Sequence, residues 1–241
     1  MFFAVNLFWK AGETMGNIMD YLKWRGDLTF SQDAFNEVDN LLLSYVAYVN
    51  LEGLSVGAGE EQVTLEELSR RFFVLHSEEE LAADKSFTRL APYIVKMMAQ
   101  SNRYRTSIIS NYVNMVNPQL ELQFSAVQLD LSDGSKNFCF RGTDDNIVAW
   151  KEDFNLGLGE VPAQKLASEY LNRFGVGTSP IRVSGHSKGG NLAVYAAAAC
   201  KIEVQERITD VYSNDGPGFV HEFVTSDSYK KIQNRIHRNA S

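Results

Sequence analysis

Apolar positions in the first half of the chain recur at three- and four-residue intervals. Phe35, Val38, Leu41, Leu42, Tyr45, Val46 and Val49 follow this spacing and predict a helix over 33–50, with Ser31 or Asp33 as its cap. Leu65 and Leu68, preceded by Thr64 and accompanied by Glu66 and Glu67, predict a second helix over 64–74. Residues 77–84 are expected as a short third helix, with three consecutive glutamates near its start, where the helix dipole favours anions. Phe87, Leu90, Ile94, Val95 and Met98 predict a fourth over 87–100, with Pro92 tolerated in its first turns.

The period then changes. Ser107–Met115 reads as a strand, and Phe124–Leu131 alternates apolar and polar positions. Asp133-Gly134 is a hairpin turn, with Asn137–Phe140 as the returning strand. Further on, the pattern gives a helix at 162–174, a short strand Ile181–Ser184, an alanine-rich helix Ser187–Cys200, a strand Ile208–Ser213 and a last helix Tyr229–His237. Strands alternating with helices predict an α/β layered fold with a mostly parallel central sheet, here beneath a helical N-terminal layer.

Length and composition narrow the class. With 241 residues, one α/β domain is expected, large enough to bury a core without metal or disulfide staples. The formal charge of −7 argues against a protein built to hold nucleic-acid backbone. Cys139 and Cys200 form no CxxC or Cys/His cluster, so no zinc or other metal pattern is visible and a reducing compartment is expected. No apolar stretch reaches the ~20 residues of a membrane span. The apolar start Met1–Trp9 lacks the basic region and cleavage site of a signal peptide. These features point to a cytoplasmic protein without stable membrane insertion.

The chemistry begins at Gly185-His186-Ser187-Lys188-Gly189, a G-x-S-x-G sequence followed by Gly190. Such a serine sits on a sharp strand-to-helix turn with small neighbours, and the following helix points its first amides at the developing oxyanion. The bare pattern arises by chance roughly one time in ten in a chain of this length. Its placement between a β-rich tetrapeptide and a helix carrying Gly189, Gly190 and Ala193 makes it specific. A Walker A loop is not satisfied, since no Gly-Lys-Ser/Thr triplet exists. A second constellation, Phe140-Arg141-Gly142-Thr143-Asp144-Asp145, runs out of a predicted strand and is followed by Trp150 and Asp153. An oxyanion needs two donors; the amides of Lys188 and Thr143 are the candidates.

Taken together, Phe140–Thr143, Trp150, Asp153 and Gly185–Ala193 resemble the layout of class 3 lipases. The chain is closer still to a bacterial family of uncharacterised α/β hydrolases related to them, through Met15-Gly16-Asn17, Tyr21–Asp27 and Ser213–Phe219. This resemblance implies an α/β-hydrolase-like fold, Ser187 as nucleophile and Thr143 as an oxyanion residue. It also implies that residues 1–14 are an extension and that 15–241 form one domain. In that domain, 15–105 are mainly helical and 106–241 carry the sheet and the nucleophile elbow. Where the lipase motif has leucine, this chain has Lys188. That cation either favours an anionic substrate or points to solvent and contributes only its amide. In the resembling lipases the segment matching 146–159 acts as a lid; a helix packed permanently on the sheet is the alternative.

A serine triad also needs a base and a carboxylate. Only 54 residues follow Ser187, and the resemblance expects more chain beyond them, so the domain reads as incomplete at its C-terminus. Within the chain, Asp215 and His237 complete the order Ser–Asp–His. Asp215 also reads as part of a structural turn, and His237 as part of a polar surface helix. His221 is a weaker candidate base, and His186 reads as structural. The expectation is a serine esterase or lipase-like hydrolase acting on a small ester or lipid-like substrate, with no cofactor. The alternative is a catalytically incomplete hydrolase-fold protein that binds a ligand or partner. A thioesterase or amidase acting on an anionic substrate is a third reading. A sheet edge left open by missing chain would favour a homodimer.

Overall fold

The computed structural model describes residues 16–86, 88–117, 119, 122–143 and 160–239. A seven-stranded sheet runs through it, its strands lying side by side in chain order: β1 (Val63–Thr64), β2 (Ile108–Asn117), β3 (Leu122–Asp130), β4 (Lys136–Phe140), β5 (Ile181–His186), β6 (Ile208–Asn214) and β7 (Ile236–Asn239). Pairings from β1 to β4 are antiparallel and those from β4 to β7 parallel. Strands β2 and β4 to β7 therefore point the same way, and only β1 and β3 run against them.

Local chemistry dictates the change of pattern. The β3–β4 connection is the Asp133-Gly134 turn read from the sequence, with Gly134 at a φ of 83° and the Leu131 amide bonded to the Ser135 carbonyl at 2.9 Å. Parallel neighbours need longer crossovers. These are supplied by α6 (Pro162–Phe174) before β5, by α7 (Lys188–Ala199) and α8 (Ile202–Gln205) before β6, and by α9 (His221–Thr225) and α10 (Asp227–Ile232) before β7. Helices α6 and α7 bury Leu171, Ala193, Ala196 and Ala197 against Phe138, Phe140, Val183 and Val211. The opposite face carries the N-terminal layer, α1 (Ile18–Arg25), α2 (Glu37–Val46), α3 (Leu65–Leu75) and α5 (Ala91–Ala99), with the short α4 (Glu78–Ala83) beside it. Leu42, Leu43, Val46, Ile94 and Met98 there pack with Val127, Leu129 and Cys139. Two helical layers around a mostly parallel sheet make the fold α/β-hydrolase-like, as the sequence predicts.

Several boundaries differ from expectation. Helix α2 starts at Glu37 because the Asn36 side chain, not Ser31 or Asp33, accepts the Val38 and Asp39 amides, and the Asp39 carboxylate returns a bond to the Asn36 amide. Helix α5 starts only at Ala91, with Pro92 in its first turn. Helix α1, which the apolar pattern did not reveal, is closed by a matching Asn17/Asp20 capping box. The expected last helix over Tyr229–His237 is corrected: α10 ends at Ile232, a 3₁₀ turn spans Gln233–Arg235, and Ile236–Asn239 is strand β7. The Asn239 carbonyl accepts the Asp215 amide at 2.8 Å, and His237 stands opposite Tyr212 in register.

The N-terminal layer is organised by a buried ion pair. Arg103 and Asp39 are both fully buried, with Nη2 2.5 Å from Oδ2 and Nε 2.6 Å from Oδ1. Arg103 also donates to the carbonyls of Leu28, Asp33 and Ala34, so it ties the α1–α2 connection to the chain after α5. Asp39 further accepts the hydroxyls of Tyr21 and Tyr104. Burial and the Asp39 charge push the Tyr104 phenol well above its ordinary value. A buried pair stripped of one partner leaves an uncompensated charge. Asp39→Ala is therefore expected to destabilise the protein by about 3–5 kcal/mol in urea unfolding; a loss below about 1 kcal/mol would show that the pair does not organise this layer.

Candidate active site

Strand β5 is paired with β4 up to Gly185 and with β6 up to His186, whose partner in register is Asn214. Ser187 is the single residue between the end of β5 and the start of α7 at Lys188. It adopts φ 55° and ψ −130°, a conformation that side-chain-bearing residues rarely take and that costs about 1–3 kcal/mol. The Ser187 amide donates to the Asn214 carbonyl at 2.8 Å, and the Ser187 carbonyl accepts the Gly190 amide at 2.8 Å. A side chain on Gly185 would overlap the Gly189 carbonyl, and one on Gly189 would overlap the Phe140 carbonyl. The glycines of the motif are thus required by close backbone approach.

Asn214 holds the turn from below. It is fully buried. Its amide nitrogen donates to the Gly185 carbonyl at 3.2 Å and to Ser44 Oγ at 3.3 Å. Its side-chain oxygen accepts from Asn40 Nδ2 at 2.9 Å and Asn239 Nδ2 at 3.1 Å. Helix α2, the elbow, β6 and β7 therefore meet at one amide. On the other side of the sheet, Asn191 of α7 accepts from Gln164 Nε2 at 2.8 Å and donates to the Pro217 and Gly218 carbonyls. This fixes the Asp215–Gly218 turn against the first turns of α7.

The Arg141–Thr143 segment lies alongside. The Arg141 amide bonds the Ser125 carbonyl at 2.9 Å, and its guanidinium reaches Asn114 Oδ1 at 3.0 Å. Gly142 is pressed between the Tyr48 hydroxyl and the His186 carbonyl, and its absent side chain would stand 3.2 Å from Ser187 Cβ. Thr143 is buried. The structure thus brings Ser187, Lys188 and Thr143 to one place, the C-terminal end of β4 and β5.

Lys188 corrects its expectation. Its side chain does not point to solvent: it is 1% exposed, and its Nζ donates to the Gln123 carbonyl of β3 at 2.8 Å. With the cation turned into the protein, the anionic-substrate reading loses the feature that prompted it. His186, read as structural, has its Nδ1 2.8 Å from the Tyr48 hydroxyl. Burial pushes its pKa below the usual imidazole value, while the Asp215 charge acts in the opposite sense.

The two triad candidates are placed differently. Asp215 follows β6 with a φ of 51° and lies near enough to His186 for its charge to be felt there. His237 stands level with Tyr212 on β7, stacked on that ring at 4.7 Å, with Nε2 3.0 Å from Asp210 Oδ1. It is therefore a strand residue in a carboxylate pair, not part of a surface helix. His221 is exposed at the start of α9. Residues 1–14, expected as an extension, Asp144, Asp145 and the segment 146–159, expected as a lid or a packed helix, lie outside the described residues. Among the described residues no group of three or more His, Cys, Asp or Glu is placed to hold a metal ion, and no helix is long and apolar enough to cross a membrane.

Asn214 and Tyr48 were not singled out by sequence reasoning. The available signal for Tyr48 was the four-residue spacing of Asn40, Ser44 and Tyr48 along the predicted helix.

Residues 98–240, more than half of the chain, match the Mbeg1-like family model. The chain belongs to the Mbeg1-like family. The matched region runs from the end of α5 through β7, and so includes the whole elbow and the Arg141–Thr143 segment. No curated protein matches this Mbeg1-like chain. Among solved structures it is similar to M37 lipase, with 14% identity over 83% of this chain and 65% of the lipase, at a TM-score of 0.45. It is also similar to the extracellular lipase LipA from Serratia marcescens, with 14% identity over 84% of this chain and 38% of that one, at a TM-score of 0.41. The Mbeg1-like chain thus spans less than two thirds of the length of either lipase.

The packing around the elbow sets a stability contrast. Gly218 has open space where a side chain would stand. Gly185→Ala is expected to cost about 1–3 kcal/mol in urea unfolding, whereas Gly218→Ala should stay within about 0.5 kcal/mol of the parent. Equal effects would contradict the packing described for the elbow.

Proposed function

We propose that this protein is a serine hydrolase that cleaves carboxylic esters, with Ser187 as nucleophile. The observation that carries this reading is the backbone of Ser187. A strained, positive-φ serine between a buried parallel strand and a helix N-terminus has no structural need for its hydroxyl, and such strain is characteristic of reactive sites. Ser187 Oγ would attack the ester carbonyl carbon and pass its proton to a base. The tetrahedral oxyanion would be held by the amides of Lys188 and Thr143. Collapse would expel the alcohol and leave an acyl-serine, which water hydrolyses to the acid and free Ser187. Asp215, beside the elbow, is the in-chain candidate for the triad carboxylate. The burial of the Lys188 cation, bonded to the Gln123 carbonyl, favours an uncharged ester or lipid-like substrate over an anionic one.

The test is labelling with a fluorophosphonate, which traps activated serines, on the parent and Ser187→Ala, followed by turnover of p-nitrophenyl esters. Labelling and turnover in the parent, both lost in the variant with unchanged melting temperature, are expected. A folded parent that neither labels nor turns over ester would contradict the proposal. It would favour the other reading, a hydrolase-fold protein that binds a ligand or partner.

A further inference from the structure

Asn40, Ser44 and Tyr48 recur every four residues along α2 and the turn that follows it. The first two reach Asn214 beneath the elbow; Tyr48 reaches the elbow itself. Its hydroxyl oxygen lies 2.8 Å from His186 Nδ1 and 3.4 Å from the His186 carbonyl oxygen. The same oxygen fills the space that a side chain on Gly142 would need, and that space is 3.2 Å from Ser187 Cβ. One phenol therefore touches the residue before Ser187 and the residue before Thr143.

Resting on the reading of Ser187 as nucleophile, we propose that Tyr48 is a positioning residue whose hydroxyl locks the Arg141–Thr143 segment against the elbow. An oxyanion site works only if its donors are already at the right spacing when charge develops. Here the two donors belong to separate pieces of chain, one opening α7 and the other leaving β4. The glycine at 142 lets those pieces approach, and the Tyr48 hydroxyl sets how closely. Tyrosine suits this task, because a rigid ring carries a single polar tip. The ring also packs against the His186 imidazole, with centroids 5.9 Å apart. Burial favours the neutral imidazole, against the Asp215 charge that favours the cation. A neutral imidazole with its ring proton on Nε2 would accept a hydrogen bond from the Tyr48 hydroxyl at Nδ1.

Tyr48→Phe removes one oxygen and keeps the ring. In the full chain, three quantities are compared with the parent: the fluorophosphonate labelling rate at Ser187, the melting temperature and the titration of the His186 ring by NMR. The expected result is labelling slowed roughly 10- to 100-fold, a melting temperature within a few degrees of the parent, and a His186 titration moved to higher pH. The last shift follows because the neutral ring loses a donor. A purely structural role would lower the melting temperature and leave the labelling rate of the folded fraction unchanged, which overturns the proposal. Equal rates and equal His186 titrations would do the same while leaving Ser187 as nucleophile. A parent that does not label overturns the nucleophile reading, and this inference with it.

Discussion

The arrangement of this protein depends on one constraint: Ser187 must hold a positive φ between the end of β5 and the start of α7. Such a backbone costs about 1–3 kcal/mol and persists only where its surroundings over-determine it. Here they do. The Ser187 amide is bonded to Asn214, the flanking glycines let backbone lie on backbone, and the Asn214 side chain ties the turn to α2, β5 and β7 at once. Without that support, the chain would relax toward an ordinary helix cap and Ser187 would no longer stand at the sheet end.

The two layers of helices serve this constraint in different ways. The alanine-rich α7 lies close on the sheet, and Asn191 carries its position on to the turn after β6. The N-terminal layer works from the opposite face. Its own geometry is set by the buried Asp39–Arg103 pair. Asp39 belongs to α2, the same helix that presents Asn40 and Ser44 to Asn214 and leads into Tyr48. Through its bonds to Asp39 and to the Asp33 and Ala34 carbonyls, the Arg103 side chain fixes how these segments sit around α2. In this fold the arrangement it specifies is the one that brings α2 to the elbow.

Much of this was legible in the sequence. Periodicity located α3, α6, α7 and strands β2 to β6 closely, because their apolar positions face a sheet or a helical layer with a regular repeat. The G-x-S-x-G pattern located the elbow, since only small residues fit where backbone meets backbone. What was hidden is what periodicity cannot carry. Strand β7 has four residues and follows a helical turn, so its local pattern was dominated by Lys230, Lys231 and Arg235. The Lys188 side chain was expected either to favour an anionic substrate or to face solvent, whereas it is buried and bonded to the Gln123 carbonyl. Helix starts were misjudged where the cap was Asn36 rather than an upstream serine or aspartate. The roles of Asn214 and Tyr48 depend on contacts made across long stretches of chain, which one sequence does not display.

The most direct test of the elbow as a working site is a crystal structure of the protein after reaction with a small fluorophosphonate. Phosphorus bonded to Ser187 Oγ is expected, with a phosphonyl oxygen between the amides of Lys188 and Thr143. Ser187 is expected to remain at positive φ, its amide on the Asn214 carbonyl. Phosphorus on another residue, or a Ser187 relaxed to negative φ with those amides turned away, would contradict the elbow's role as a working site.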